Sequence, residues 1–154
     1  MSVIFTENNK VLELSIDGYE YDYSPDDNTK PTDSYDSNWL TVRVDYSENG
    51  NSHTYKDNCL LTFELDSLSE DIDKIINGSE SGLITDFLEP ILKLSITAAG
   101  GLYAVQIRFV YDLSDVWRGV YISQTMTLDE LRQLNEQIKE MAALFPVKKL
   151  KGKK

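Results

Sequence analysis

Apolar residues recur at every second position in several stretches of the chain, the spacing of strands with one buried face. A short first strand covers Val3 to Thr6. Leu12, Leu14 and Ile16 then alternate with Glu13, Ser15 and Asp17, and Leu40, Val42, Val44 and Tyr46 with Thr41, Arg43 and Asp45. Cys59, Leu61, Phe63 and Leu65 alternate with Asn58, Thr62 and Glu64. Further strands are predicted at Leu92–Ile96, at Tyr103–Tyr111 and from Trp117 to Thr125. The positions between are polar in most of these, as in an antiparallel sheet with one wet side.

Turn chemistry joins the strands. Asn49-Gly50 suits a type I′ hairpin, whose two central residues both need positive φ. Gly100-Gly101 serves the next pair in the same way, and Glu7-Asn8-Asn9 links the first strand to the second. Two stretches switch to helical spacing. The first opens on Ser67-x-x-Glu70, which has capping-box form, runs through Leu68, Ile72, Ile75 and Ile76, and stops at Gly78. The second opens on Thr127-x-x-Glu130, carries Leu131, Leu134, Ile138, Met141 and Phe145, and closes at Pro146. The expected fold is α+β: one curved, mainly antiparallel sheet of six or seven strands, with two helices on its apolar face. No internal sequence repeat or linker divides the 154 residues, which suits one domain over 1–147 followed by a basic, flexible tail over 148–154.

Charge sharpens this picture. The net charge is −11, from 26 acidic and 15 basic residues. Five of those lysines lie in the tail, so residues 1–147 carry a net −16. Such a body repels nucleic acid and anionic membrane and favours a basic partner. The start lacks the basic, then apolar, pattern of a secretory signal, and no stretch approaches the roughly 20 apolar residues of a membrane span. Cys59 is the single cysteine, which excludes an intrachain disulfide. A reducing, cytoplasmic setting is expected.

Chemistry is sparse. His53 is the only histidine, just past the Asn49-Gly50 turn, and belongs to no nucleophile signature. Cys59 falls in the apolar phase of its strand and reads as a small buried hydrophobe. Asp45-x-Ser47-x-Asn49-Gly50 resembles the start of a calcium loop, but Lys56 stands where the bidentate glutamate belongs. Thr97–Leu102 lacks the end of a phosphate loop. No catalytic residue, metal or cofactor is therefore expected. The longest irregular stretch, Gly18 to Ser37, alternates tyrosines with acids, a composition suited to gripping a basic surface. Its contact candidates are Tyr19, Glu20, Tyr21, Asp22, Asp26, Asp27, Asp33 and Asp36. Two other readings compete: a carbohydrate-binding module with Trp39, Trp117 and the tyrosines as a stacking platform, and an enzyme using paired carboxylates.

Three short motifs carry a family resemblance. Tyr35-Asp36-Ser37-Asn38-Trp39-Leu40, followed by a hydrophobic strand, resembles the D-x-N-W-L signature of the WapI family of bacterial immunity proteins. Leu60-Leu61-Thr62-Phe63-Glu64-Leu65 and Phe87-Leu88-Glu89-Pro90-Ile91-Leu92 agree with it in order and spacing, over roughly residues 10–140. The resemblance implies a cytoplasmic antitoxin, made beside a large cell-wall-associated or secreted polymorphic toxin, that binds and neutralises its C-terminal domain. That domain is often a nuclease acting on RNA, and nucleases need basic surfaces to hold phosphate. The motif residues also have scaffold readings: Asn38 bonding local backbone, Trp39 covering the sheet, and Glu89-Pro90 marking an edge-strand start.

Overall fold

The computed structural model describes residues 1–21, 36–114 and 117–148, and of Asp36 the backbone alone. Strands β1 (Ser2–Glu7), β2 (Lys10–Tyr19), β3 (Trp39–Glu48) and β4 (Asn51–Leu61) form one antiparallel meander. Helix α1 (Thr62–Ile76) follows directly. Strands β5 (Gly82–Ile84), β6 (Leu92–Ala99), β7 (Leu102–Asp112) and β8 (Arg118–Met126) form a second meander, followed by α2 (Leu128–Leu144).

The class is α+β as expected, but the single sheet of six or seven strands is corrected to two sheets of four. Alternation identifies strands without saying which of them pair, and α1 interrupts the meander after β4. The order four strands, then helix, occurs twice, an architectural repeat that no sequence repeat announces. Each sheet turns one apolar face inward. Phe5, Leu12, Leu40 and Val44 from the first sheet join Ile96, Ile107, Phe109 and Ile122 from the second in one buried cluster. Ile72 and Ile75 of α1 and Leu131, Leu134 and Ile138 of α2 complete it. Helix α2 lies against β1, β7 and β8, α1 against β4 and β5, and the helices against each other.

All three turn predictions hold, and Asn8 (φ 53°) and Asn9 link β1 to β2. Asn49 (φ 52°) and Gly50 (φ 82°) link β3 to β4, and Gly100 (φ 60°) and Gly101 (φ 83°) link β6 to β7. The second helix begins where Thr127 predicts. The Thr127 Oγ accepts from Glu130 N–H at 3.2 Å while Glu130 accepts from Thr127 N–H at 3.0 Å, the reciprocal pair of a capping box.

The first helix begins five residues earlier than Ser67. Leu61, Leu65, Leu68, Ile72 and Ile75 are all buried at spacings of four and three, so the segment that alternates as a strand also fits a helix. Thr62, Phe63, Glu64 and Leu65 are helical. Glu64 supports the helical choice: its carboxylate accepts from the N–H of Leu61 at 3.0 Å and from that of Leu88 at 2.8 Å. One bond ties the helix entry and the other reaches the segment between β5 and β6, so one side chain couples the two halves. Strand β5 escapes prediction because three residues carry no period.

The free edge of β8 meets the β1–β2 hairpin. Ser123 N–H donates to Glu7 and Thr6 N–H donates to Gln124 Oε1, both at 2.9 Å. Side chains thereby cap an edge that would otherwise offer itself to another strand.

Because Glu64 serves two backbone donors, one part-buried and one exposed, Glu64→Ala is expected to lower unfolding free energy by about 1–2 kcal/mol, and Glu64→Gln by less, since one amide oxygen still accepts. Urea denaturation measures both.

Candidate functional site

Only part of the 19–36 segment falls within the described residues. Tyr19 ends β2, Glu20 and Tyr21 follow it, and Asp36 opens a 3-10 turn, Asp36–Asn38, leading into β3. Asp22, Asp26, Asp27 and Asp33, and the side chain of Asp36, lie outside them.

The root of this segment is clasped to the end of the chain. Tyr19 is half-buried, its ring edge-on to Phe145 at 5.7 Å, and its hydroxyl donates to the carbonyl of Pro146 at 2.5 Å. The ammonium of Lys148 sits 3.7 Å from the Tyr19 ring centroid and 3.4 Å from the carbonyl of Tyr21. Asn38 grips the same residue from below. Its Nδ2 donates to the Lys148 carbonyl at 2.8 Å, and its Oδ1 accepts from the Lys148 N–H and the Thr62 hydroxyl, both at 2.7 Å. Asn38 is 1% exposed, so these bonds are shielded from water. Lys148 is thus docked; of the basic stretch 148–154 it alone is described.

These contacts give the motif residues scaffold roles. Asn38 of the first motif bonds Thr62 of the second, and Glu64 of the second bonds Leu88 of the third. Trp39 is half-buried in β3, and Trp117 is 55% exposed just before β8. One lies in the first sheet and the other at the entry to the second, and no shared aromatic platform joins them among the described residues.

Next to the clasp, α1 and α2 enclose a groove of about 530 Å3. Its rim carries Asp66, Glu70 and Asp73 from α1 and Lys139 from α2, and its far end is Pro146 and Val147. Asp73 is already engaged, accepting from Asn135 at 2.8 Å and Lys139 at 3.1 Å. Asp66 and Glu70 are exposed and form no ion pair among the described residues. The groove and Tyr19, at the root of the 19–36 segment, therefore adjoin through Pro146. Sequence reading passed over this face, yet acids at 66, 70 and 73 follow helical spacing of four and three.

His53 lies on β4 opposite Tyr46, exposed, its ring stacked on Tyr55 at 6.3 Å. Cys59 is fully buried, and desolvation, followed by the charge of Asp57, pushes its thiol pKa well above the usual 9.0. Among the described residues no cluster of histidine, cysteine and carboxylates is arranged to hold a metal, and no helix is long and apolar enough to cross a membrane.

The molecule so described is a doubled strand–helix scaffold with an acidic groove between its helices. In sequence, the chain matches the model of the immunity protein WapI-like family over residues 3–146, and it belongs to that family. No curated protein matches it significantly. The solved structure of the plant transcriptional regulator PBF-2 superposes on 94% of this chain and 81% of its own, with 11% identity and a TM-score of 0.47. That likeness is too distant to speak for function.

Removing the Asn38 amide leaves buried donors and an acceptor unpaired. Asn38→Ala is expected to cost about 2–3 kcal/mol and to speed hydrogen exchange at the Lys148 amide. Cys59 provides a pH test. With its pKa raised in the folded state, the unfolded chain loses the thiol proton first, so the thiol's contribution to stability is intact below 9.0 and declines as pH rises beyond it. Native protein at pH 8 is expected to resist thiol labelling that goes to completion in denaturant.

Proposed function

We propose that this chain is a cytoplasmic, non-catalytic immunity protein that binds and neutralises the C-terminal toxin domain of a cognate polymorphic toxin, a domain with a basic, nuclease-type surface. Family membership across residues 3–146 carries the reading, because a toxin partner is what an immunity family implies. The acidic body supplies the physical means. A surface at −16 over residues 1–147 attracts a cationic partner over several ångströms and raises the encounter rate.

Two sets of acids suit the contact. Asp66 and Glu70 stand exposed at the helix groove, over a floor that includes Ala142 and Ala143. Tyr19, Glu20, Tyr21, Asp22, Asp26, Asp27, Asp33 and Asp36 belong to the segment whose root is clasped beside that groove. A basic toxin loop laid along the groove would place cations against Asp66 and Glu70 and apolar atoms against the alanines, and the acids of the 19–36 segment would add to its attraction. Surface ion pairs one at a time contribute little, so specificity would come from several acting together in a desolvated groove.

The Asp66→Lys/Glu70→Lys variant and the Asp22→Lys/Asp26→Lys/Asp27→Lys variant are each expected to weaken binding of the toxin domain at least tenfold at low salt and to flatten its salt dependence. Titration calorimetry at two ionic strengths measures this. A variant with wild-type affinity and salt slope removes its own set of acids from the interface.

A further inference from the structure

The outward faces of the two sheets handle charge in opposite ways. On the first sheet, cations meet anions. Arg43 pairs with Asp45 at 3.0 Å and Lys56 with Asp17 at 2.7 Å. The Thr54 hydroxyl and then Arg43 hold the Asp45 carboxyl below its usual pKa.

On the second sheet the register sets Lys93 of β6 directly opposite Arg108 of β7, and Arg108 directly opposite Tyr121 of β8. Lys93 and Arg108 are exposed, and neither has a carboxylate partner among the described residues. Like charges directly across a ladder destabilise a sheet, yet here they stand side by side in a protein with acids to spare. Two residues along the same two strands, Ser95 and Gln106 form a neutral pair beside them, Gln106 donating to the Ser123 hydroxyl at 3.3 Å. Together with Tyr121 these residues line a concavity of about 390 Å3. Tyr121 is 56% exposed, and Lys10, itself 3.9 Å from Glu48, lies 5.6 Å from its ring.

We infer that this face is a second binding surface, and that its occupant is an acidic segment of a protein. Adjacent strands lie about 4.8 Å apart, so the Lys93–Arg108–Tyr121 row offers two cations and an aromatic ring within about 10 Å. One or two carboxylates fit that footprint, with Arg108 able to take one in a bidentate fork and Tyr121 to cover an apolar side chain. Ser95 and Gln106 hydrogen-bond the peptide backbone. Nucleic acid suits the face less well, because a long polyanion reaching past two cations meets the −16 body. This surface is separate from the helix groove and does not depend on the toxin assignment.

The test is an NMR titration of the full chain with acetylated hexaglutamate, in parallel with oligothymidylate and with inorganic phosphate, at matched ionic strength. Hexaglutamate is expected to produce saturable shifts centred on Lys93, Arg108 and Tyr121. Lys93→Glu/Arg108→Glu is expected to lose at least tenfold in that affinity. Arg108→Thr, which relieves the like-charge pair, is expected to raise the urea midpoint while weakening binding, which separates a binding role from a structural one. No saturable shift with hexaglutamate, equal or tighter binding of oligothymidylate or phosphate, or full affinity in the double variant would overturn the inference.

Discussion

One carboxylate, that of Glu64, satisfies two backbone N–H groups from opposite halves of the chain, and the fold depends on that junction. On one side it tethers the entry of α1 at Leu61; on the other it fixes Leu88, on the way into the second sheet. One residue pair away, the hydroxyl of Thr62 reaches Asn38, and Asn38 in turn holds the backbone of Lys148. The entry to the first sheet's β3, the first helix, the approach to β6 and the segment after the second helix are therefore connected by polar bonds. Of these bonds the one from Thr62 to Asn38 is buried and costs most when broken, while those of Glu64 lie nearer solvent and contribute modestly; together they favour one arrangement of the two halves.

Much of this was legible in the residues. Asn49-Gly50 and Gly100-Gly101 announce their hairpins because positive φ leaves few alternatives, and Thr127 with Glu130 marks a helix start by a bond pattern local to four residues. What escaped was decided at long range. Leu61 to Leu65 satisfies a strand period and a helical one together, and one of the bonds that supports the helix reaches Leu88, 24 residues beyond Glu64. The division into two sheets depends on pairing, which alternation does not encode.

The same distinction governs the candidate surfaces. The acids of the 19–36 segment stand out in composition, although Tyr19 uses its hydroxyl and its ring face within the fold. Asp66 and Glu70 needed only a helical projection to be seen. Lys93 and Arg108 are 15 positions apart and become neighbours only through the β6–β7 register. The motifs shared with the WapI-like family fall chiefly on the junction and clasp, so they mark the scaffold. Partner choice is then left to the surfaces that surround it, as expected where contact residues are borne on loops and exposed faces.

The central claim is electrostatic: an anionic scaffold captures a cationic toxin domain. Stopped-flow association of the full chain with the C-terminal domain of the proposed cognate toxin, followed from low to high ionic strength, tests it most directly. The account predicts a 1:1 complex whose association rate falls steeply as salt rises, while dissociation changes little. Failure to form a complex, or an association rate indifferent to salt, would contradict it.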